Sequence, residues 1–502
     1  MFKRCHSDFT VKQRLSILCG LLLVSFSSAV EIQEDAVDRL HQSAIDIKSS
    51  VELFVNSRSA GSINKFRRAA AQVRRLAEMG EPFFRFLMAV YSVNEPLCAL
   101  PDDLHRKYLS EGRIYMLERA EGGNSMAQYL IGLDCDFNLK SEEDAVYWFK
   151  KSADKGYALA QNALGMIYYR ATGKTPDYDM AAECFRQAAM QANSIGEYNL
   201  GTLYAEGHGV PKDDEMAYNL YLRAASKGHS DAMNNIGWFY QQGRGVKKQP
   251  GLAATWYLKS AQSGNPHGQY NYAFMLSHAK EADKNSAEIL KWYRLAADAG
   301  HLEAIFNTGL LYRDGRGVER DYKEALKWFC KSASAGHPMS QYIIGQMYEK
   351  GLGIPPDLEK ALRWYKKAAE KNNYFAVNAI GTIYYRGKGR KRDYITAGRF
   401  YRIAAEAEFA LAQNNLAMMY LRGEGVKRNY DISVDWFRKS VRGGCVEALF
   451  NLAMMHEYGR GVSRNHIKAA TLCRDAARRG HIGAAEWLDK NGYSHWAQDQ
   501  SE

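Results

Sequence analysis

The sequence predicts an all-α chain: a solenoid of about ten stacked helix–turn–helix repeats, each 36 residues long. Three observations carry that prediction. A closing glycine recurs at Gly156, Gly228, Gly264, Gly300, Gly336, Gly444 and Gly480, always spaced by multiples of 36 residues. A small residue recurs in the same register at Gly165, Gly201, Gly237, Ala273, Gly309, Gly345, Gly381, Ala417 and Ala453. Between these markers lies one template, clearest from His301 to Gly336, in which two apolar stretches at helical spacing flank the turn Gly315-Arg316-Gly317-Val318. A register held this long identifies a repeat architecture before any other feature is considered.

Each part of the template has a physical reason. The first helix carries Ala304, Thr308, Leu311 and Tyr312 on one face, and it ends where the backbone needs a positive φ. Glycine supplies that conformation at Gly207, Gly243, Gly315, Gly351, Gly387, Gly423 and Gly459. The second helix needs its first N–H groups capped. A capping side chain stands four residues before its first alanine in the series Ser141, Asp177, Asp213, Gln249, Asn285, Asp321, Asp357, Asp393, Asn429 and Asn465. All but Gln249 are good N-cap residues. The small residue of the first helix is expected to let two helix backbones approach closely. Aromatic pairs such as Trp256-Tyr257, Trp292-Tyr293, Trp364-Tyr365 and Trp436-Phe437 are expected to fill the space between neighbouring helices. One repeat cannot bury both of its apolar faces, so repeats must stack.

Condensed, the pattern is A-x-x-N-L-G-x-x-Y…G-x-G-V…D-x-x-x-A-x-x-W-[YF]-x-x-A-A-x-x-G. It resembles the Sel1-like repeat, a relative of the tetratricopeptide repeat, over roughly Gly123 to Gly480. The resemblance implies a right-handed superhelix of helix pairs that acts as a non-enzymatic adaptor. First helices would line the concave side, and the partner would be a protein or an extended peptide. Some positions depart from the pattern. The repeat at 265–300 has Ser277-His278-Ala279-Lys280-Glu281 in place of the glycine turn, which predicts a longer first helix. Ala192 and Glu408 stand where a closing glycine is expected.

The ends differ from the array. Residues 1–29 read as a secretory signal: Lys3, Arg4, Lys12 and Arg14 precede an apolar run from Ile17 to Phe26, and Ser27-Ser28-Ala29 offers a cleavage site. An uncleaved N-terminal anchor is the alternative. Residues 30–122 read as a helical N-terminal cap of degenerate repeats, with helices over 31–55, 65–79, 83–93 and 104–119. The regular array spans 123–480. Residues 481–502 form a C-terminal cap and tail, in which a first helix stops at Asn491-Gly492 and Trp487, Tyr493 and Trp496 cover the last apolar face. No stretch of the mature chain approaches the roughly 18 continuous apolar residues of a membrane span.

The chain carries a formal charge of +11, and removal of residues 1–29 takes away four positive charges and one negative. Lys247-Lys248, Lys388, Arg390-Lys391-Arg392 and Lys427-Arg428 cluster at the glycine turns. Stacked turns would align them into a ridge, serving either an acidic partner or simply solubility. No nucleic-acid-binding motif accompanies them. Of eight cysteines, Cys98, Cys135, Cys184, Cys330, Cys445 and Cys473 lie in the mature chain, at positions that do not recur in the repeat. A disulfide framework is therefore disfavoured. None of the 24 asparagines lies in an N-x-[ST] sequon, which favours a secreted or periplasmic bacterial protein over one of the ER lumen.

The sequence shows no nucleophile motif, no phosphate loop and no metal-ligand spacing, so neither catalysis nor a cofactor is expected. His208, His229, His301, His337 and His481 mostly follow helix-ending glycines, where an exposed loop role is expected. The candidate binding residues are two ladders on the first helices. One reads Asn199, Asn235, Asn271, Asn307, Asn415 and Asn451; the adjacent one includes Tyr198, Tyr270, Phe306 and Tyr342, alternating with Asn162, Asn234, Asn378 and Asn414. Asparagine offers both donor and acceptor to the backbone of an extended peptide. The alternative is that the same row hydrogen-bonds between neighbouring repeats. A protein- or peptide-binding scaffold follows as the leading function. An ER-luminal adaptor of protein quality control is the alternative, and a hydrolase of cell-wall or β-lactam substrates ranks third.

Overall fold

The structure, a computed structural model, describes Phe86 and residues 101–170, 175–279, 282–389 and 391–493. The expected signal, most of the N-terminal cap and Trp496 lie outside the described residues. The described residues form 22 α-helices and one π-helical turn, with no strand among them. Helix α1 (Asp102–Glu121) precedes ten helix pairs. The first helices are α2 (Ser125–Asp134), α4 (Ala158–Arg170), α6 (Ser194–Glu206), α8 (Ser230–Gln242), α10 (Pro266–Ser277), α12 (Leu302–Asp314), α14 (Pro338–Lys350), α16 (Tyr374–Arg386), α18 (Ala410–Arg422) and α20 (Val446–Tyr458). The second helices are α3 (Glu142–Ala153), α5 (Tyr178–Met190), α7 (Asp214–Ser226), α9 (Pro250–Gln262), α11 (Ser286–Asp298), α13 (Tyr322–Ser334), α15 (Leu358–Ala369), α17 (Tyr394–Glu406), α19 (Tyr430–Arg442) and α21 (His466–Arg478). An unpaired α22 (Ile482–Lys490) follows.

The chain divides into two compact parts, before and after the boundary between His301 and Leu302. Within each part, consecutive helices pack in sequence order, as an α-solenoid requires.

The core of a repeat is one ring seated on one glycine. In α12 and α13, a Cβ placed on Gly309 would come within 2.7 Å of Phe329 Cε1. Gly201 against Tyr221, Gly237 against Tyr257, Gly345 against Tyr365 and Gly381 against Tyr401 repeat the arrangement at 2.5–3.0 Å. The small residue therefore receives the second-helix aromatic of its own repeat, rather than the neighbouring backbone that the sequence suggested. These rings are buried: Tyr221, Phe329 and Tyr365 have no exposed surface. Burying a side chain of this size contributes about 1.5–3 kcal/mol. At Trp256, Trp328, Trp364 and Trp436, a lysine three residues on lies over the tryptophan beside that ring, as with Lys259 over Trp256 at 4.2 Å and Lys439 over Trp436 at 4.3 Å.

Ends and caps follow the sequence closely. Ser141, Asp177, Asp213, Asp321, Asp357, Asp393, Asn429 and Asn465 each accept a backbone N–H from the first turn of their second helix. Gln249 makes no such bond, and Pro250 opens α9 instead. Asn285 also fails to cap. With the glycine turn missing, the chain enters α11 through successive turns, and Asn285 sits at φ −98°, ψ 10° instead of the extended geometry that aims a side chain at the helix start. Helix α10 is no longer than its counterparts and stops at Ser277. Ala192 and Glu408 keep the backbone of the glycines they replace, at φ 56° and 62°. Each accepts a left-handed cost of roughly 1–2 kcal/mol.

At the C-terminal end, Leu488 is fully buried, and Trp487 and Tyr493 stack at 6.1 Å over the last core cluster. Cys135, Cys184, Cys330, Cys445 and Cys473 are free thiols. Burial pushes Cys184 and Cys473 up to about 12, well above the range of a reactive thiolate.

Replacing Gly309 by Leu should unseat Phe329 and destabilise the chain by about 1–3 kcal/mol or more, as overpacking does. Hydrogen exchange should show α12, α13 and their immediate neighbours losing protection first. Uniform loss across all repeats would contradict nearest-neighbour stacking.

Candidate functional site

The two ladders meet across repeat boundaries. Each first helix places its asparagine 37 residues after the ladder position of the preceding repeat. Where both positions are asparagine, the amides bond. Asn199 Nδ2 donates to Asn162 Oδ1 at 2.7 Å, Asn271 to Asn234 at 2.8 Å, Asn415 to Asn378 at 2.9 Å and Asn451 to Asn414 at 2.9 Å. Four of the six ladder asparagines are therefore donors in an inter-repeat clasp. Asn235, whose counterpart 37 residues back is Tyr198, instead reaches the Tyr221 phenol, which burial raises to about 12. Asn307 is half-buried on α12.

The aromatic rungs are covered in another way. The residue that starts the next first helix lies on the ring. His229 stacks on Tyr198 at 4.6 Å, His301 on Tyr270 at 4.5 Å, His337 against Phe306 at 4.6 Å and His481 on Phe450 at 4.7 Å. Tyr342 meets Phe375 at 5.7 Å. His229, His337 and His481 also accept a backbone N–H through Nδ1, capping α8, α14 and α22. Instead of serving as exposed loop groups, these histidines are caps and ring partners. Nδ1 must be unprotonated to accept that bond. Tyr198, Phe306 and Tyr342 stay half-buried, and Tyr270 is 9% exposed.

A third row escaped the sequence reading. Gln128, Gln161, Gln269, Gln341 and Gln413 are buried, and each donates Nε2 to a carbonyl at the end of the preceding second helix or of α1. Each of these carbonyls also accepts the backbone N–H of the closing residue three positions on, so the glutamine supplies it with a second donor. The recurrence of Gln161, Gln269, Gln341 and Gln413 at multiples of 36 was the signal available. Glu197 holds the same position in α6. It is fully buried and paired with Arg223 at 2.8 Å and Lys227 at 2.6 Å.

The basic turns are exposed at Lys247, Lys248, Lys391, Lys427 and Arg428, while Lys388 pairs with Glu349 of the preceding repeat at 3.1 Å. No cluster of potential metal ligands and no helix long and apolar enough to cross a membrane occurs among the described residues.

The Sel1 repeat model matches ten segments, 125–157, 158–193, 194–229, 230–265, 266–301, 302–337, 338–373, 375–409, 410–445 and 446–481. The chain belongs to the Sel1-repeat family. Its fold resembles the crystal structure of c5321, a protective antigen present in uropathogenic Escherichia coli strains displaying an SLR fold. That match has 28% identity and a TM-score of 0.64, over 86% of this chain and 92% of that one. A Sel1 repeat protein from Oxalobacter formigenes is 30% identical over 49% of this chain and 96% of its own, with a TM-score of 0.43. A comparison with curated proteins yields no match. As a Sel1-repeat solenoid, the chain has a fold suited to protein–protein interaction.

Proposed function

We propose that this protein is an exported, non-catalytic bacterial scaffold that binds an extended segment of a partner protein along its first-helix face. The observation that carries this reading is the recurrence of an amide or a ring at two adjacent positions of that face, interrupted in the asparagine row only by Ala163, Ile343 and Ala379 between Asn162 and Asn451. A periodic surface suits an extended chain, which advances about 3.3 Å per residue, better than it suits a compact substrate. The clasp uses one N–H of each donating asparagine, and every asparagine carries a second N–H and its own carbonyl. Asn271, Asn415 and Asn451 would then serve twice, joining repeats and contacting the ligand; Asn235 and Asn307 would contact it without a clasp, and Asn199, 3% exposed, would chiefly join repeats. Tyr198, Tyr270, Phe306 and Tyr342 would supply apolar contact beside them. The structural likeness to an antigen of uropathogenic Escherichia coli supports a bacterial, exported setting. The exposed basic turns would favour an acidic partner rather than nucleic acid.

A photo-crosslinking residue placed at Asn307 should trap the partner. The same residue at Met216, exposed on second helix α7, should not. Adducts from position 216 alone would move the binding face to the second helices. Expressed in a Gram-negative host, the exported chain should begin at Val30 on N-terminal sequencing. Retention of residues 1–29 in a membrane fraction would instead establish an uncleaved anchor.

A further inference from the structure

Within the second compact part, the first-helix face changes character. Between Asn307 and Asn415 the asparagine row reads Ile343 in α14 and Ala379 in α16. One helical turn before that row, and so on the same face, the second residue of each first helix forms another. It reads Glu303, Met339, Phe375, Leu411 and Glu447: three apolar rungs in succession, with a carboxylate at each end. Phe375 and Leu411 are each 43% exposed, Met339 is half-buried and Glu447 is exposed. Large apolar side chains exposed singly are ordinary on a protein surface, whereas three on consecutive rungs form a patch.

The patch continues into the aromatic ladder. Phe375 lies 5.7 Å from Tyr342 of the preceding repeat and 4.8 Å, edge-on, from Phe409 at the start of α18. The Tyr342 hydroxyl is satisfied within α14 by Gln346 Nε2 at 2.7 Å. Phe409 occupies the position at which Asn193, Asn265 and Asn373 cap their helices. Its backbone is the same, at φ −74°, ψ 105° against −79°, 96° for Asn373, yet it makes no cap bond. The residues just before Asn373 and Phe409 are Asn372 and Glu408, which hold left-handed backbones at φ 58° and 62° without being glycine. A surrendered cap and left-handed side-chain-bearing residues beside exposed rings suit contact with a partner better than they suit stability.

We propose that α14, α16 and α18 receive the apolar middle of the partner's extended segment. Met339, Phe375 and Leu411, with Tyr342 and Phe409 beside them, take large aliphatic or aromatic side chains. Glu447, with Glu303 at the opposite end, faces a lysine or arginine beyond them. Charge complementarity at these ends selects among apolar segments, which the patch alone does not. Packed helices lie about 10 Å apart, so the row from Glu303 to Glu447 spans about 40 Å, or about twelve residues of extended chain. The basic turns close the opposite ends of these helices, so they meet other parts of the partner. This inference rests on the reading of the first-helix face as a groove for an extended segment, and it names the chemistry of that segment.

The test uses the immobilised full chain and a phage-displayed library of random peptides of that length. Selection should enrich Phe, Trp, Leu or Ile at the centre and Lys or Arg near at least one end. Synthetic copies should then bind the chain saturably in fluorescence anisotropy. F375S/L411S changes two exposed side chains at helix starts and should weaken these peptides roughly ten-fold or more, with helicity unchanged. F409N supplies the residue that caps α16 and should weaken them as well, with α18 still folded. E447K should weaken basic-ended peptides roughly three- to five-fold, and a peptide with glutamate at that end should regain the loss. No enrichment, enriched peptides without an apolar centre, or equal binding by F375S/L411S or F409N would overturn the apolar site. Unchanged binding by E447K would overturn the basic end. If the crosslinker at Asn307 traps a partner that F375S/L411S still binds normally, the groove stands and this inference falls. Peptides that depend on Phe375 and Leu411, with no adduct from Asn307, would decide the reverse.

Discussion

The structure depends on a ring lying directly on a glycine. In a repeat such as 302–337, the second-helix aromatic occupies the volume a first-helix side chain would otherwise take. That contact brings the two helices of a hairpin to a fixed separation and fully buries an aromatic ring of the repeat. Caps, turns and boundary contacts are then placed relative to a hairpin of constant shape. Because that shape recurs every 36 residues, a polar contact at one boundary can recur at the next with nearly the same length. The four asparagine clasps, between 2.7 and 2.9 Å, show this regularity.

Three kinds of polar contact join one repeat to the next. The glutamine row donates to the end of the preceding second helix. Asparagine pairs bond along the 37-residue diagonal, and His229, His337 and His481 each cap their own helix while covering the ring 31 residues behind. Each is local to one boundary. Stability should therefore accumulate by nearest neighbours, and single losses should be felt near where they occur. The chain also tolerates departures from its own pattern on this basis. Glu197 replaces a glutamine, yet the buried carboxylate stands because Arg223 and Lys227 reach it. An unpaired carboxylate at that depth would be strongly destabilising.

Most of the fold was legible in the sequence, since periodicity, glycines at positive φ and N-cap residues act locally. Asn285 is an instructive miss. Its residue type suits a cap, but capping needs an extended backbone, and the altered turn before α11 denies it that geometry. The histidines were misread for a related reason. A loop position says nothing about which ring the next repeat places beneath it, and Tyr198 under His229 becomes visible only once repeats are stacked. The ladders were found, but as two parallel rows. Sequence alone did not show that a one-residue offset converts them into a single diagonal contact. With that offset, the alternation of amide and aromatic makes sense: Asn378 precedes Asn415 and bonds to it, whereas Tyr342 precedes Ala379 and meets Phe375 instead.

The account turns on whether that diagonal joins repeats energetically, and a double-mutant cycle on Asn378 and Asn415 measures this most directly. Asn378→Ala, Asn415→Ala and the double variant would be unfolded by denaturant and compared with the parent chain. A bond between the two amides predicts a coupling energy of about 0.5–1.5 kcal/mol, with the double variant losing less than the sum of the single changes. Strict additivity of the two losses would contradict the clasp and return the asparagine row to a role in ligand binding alone.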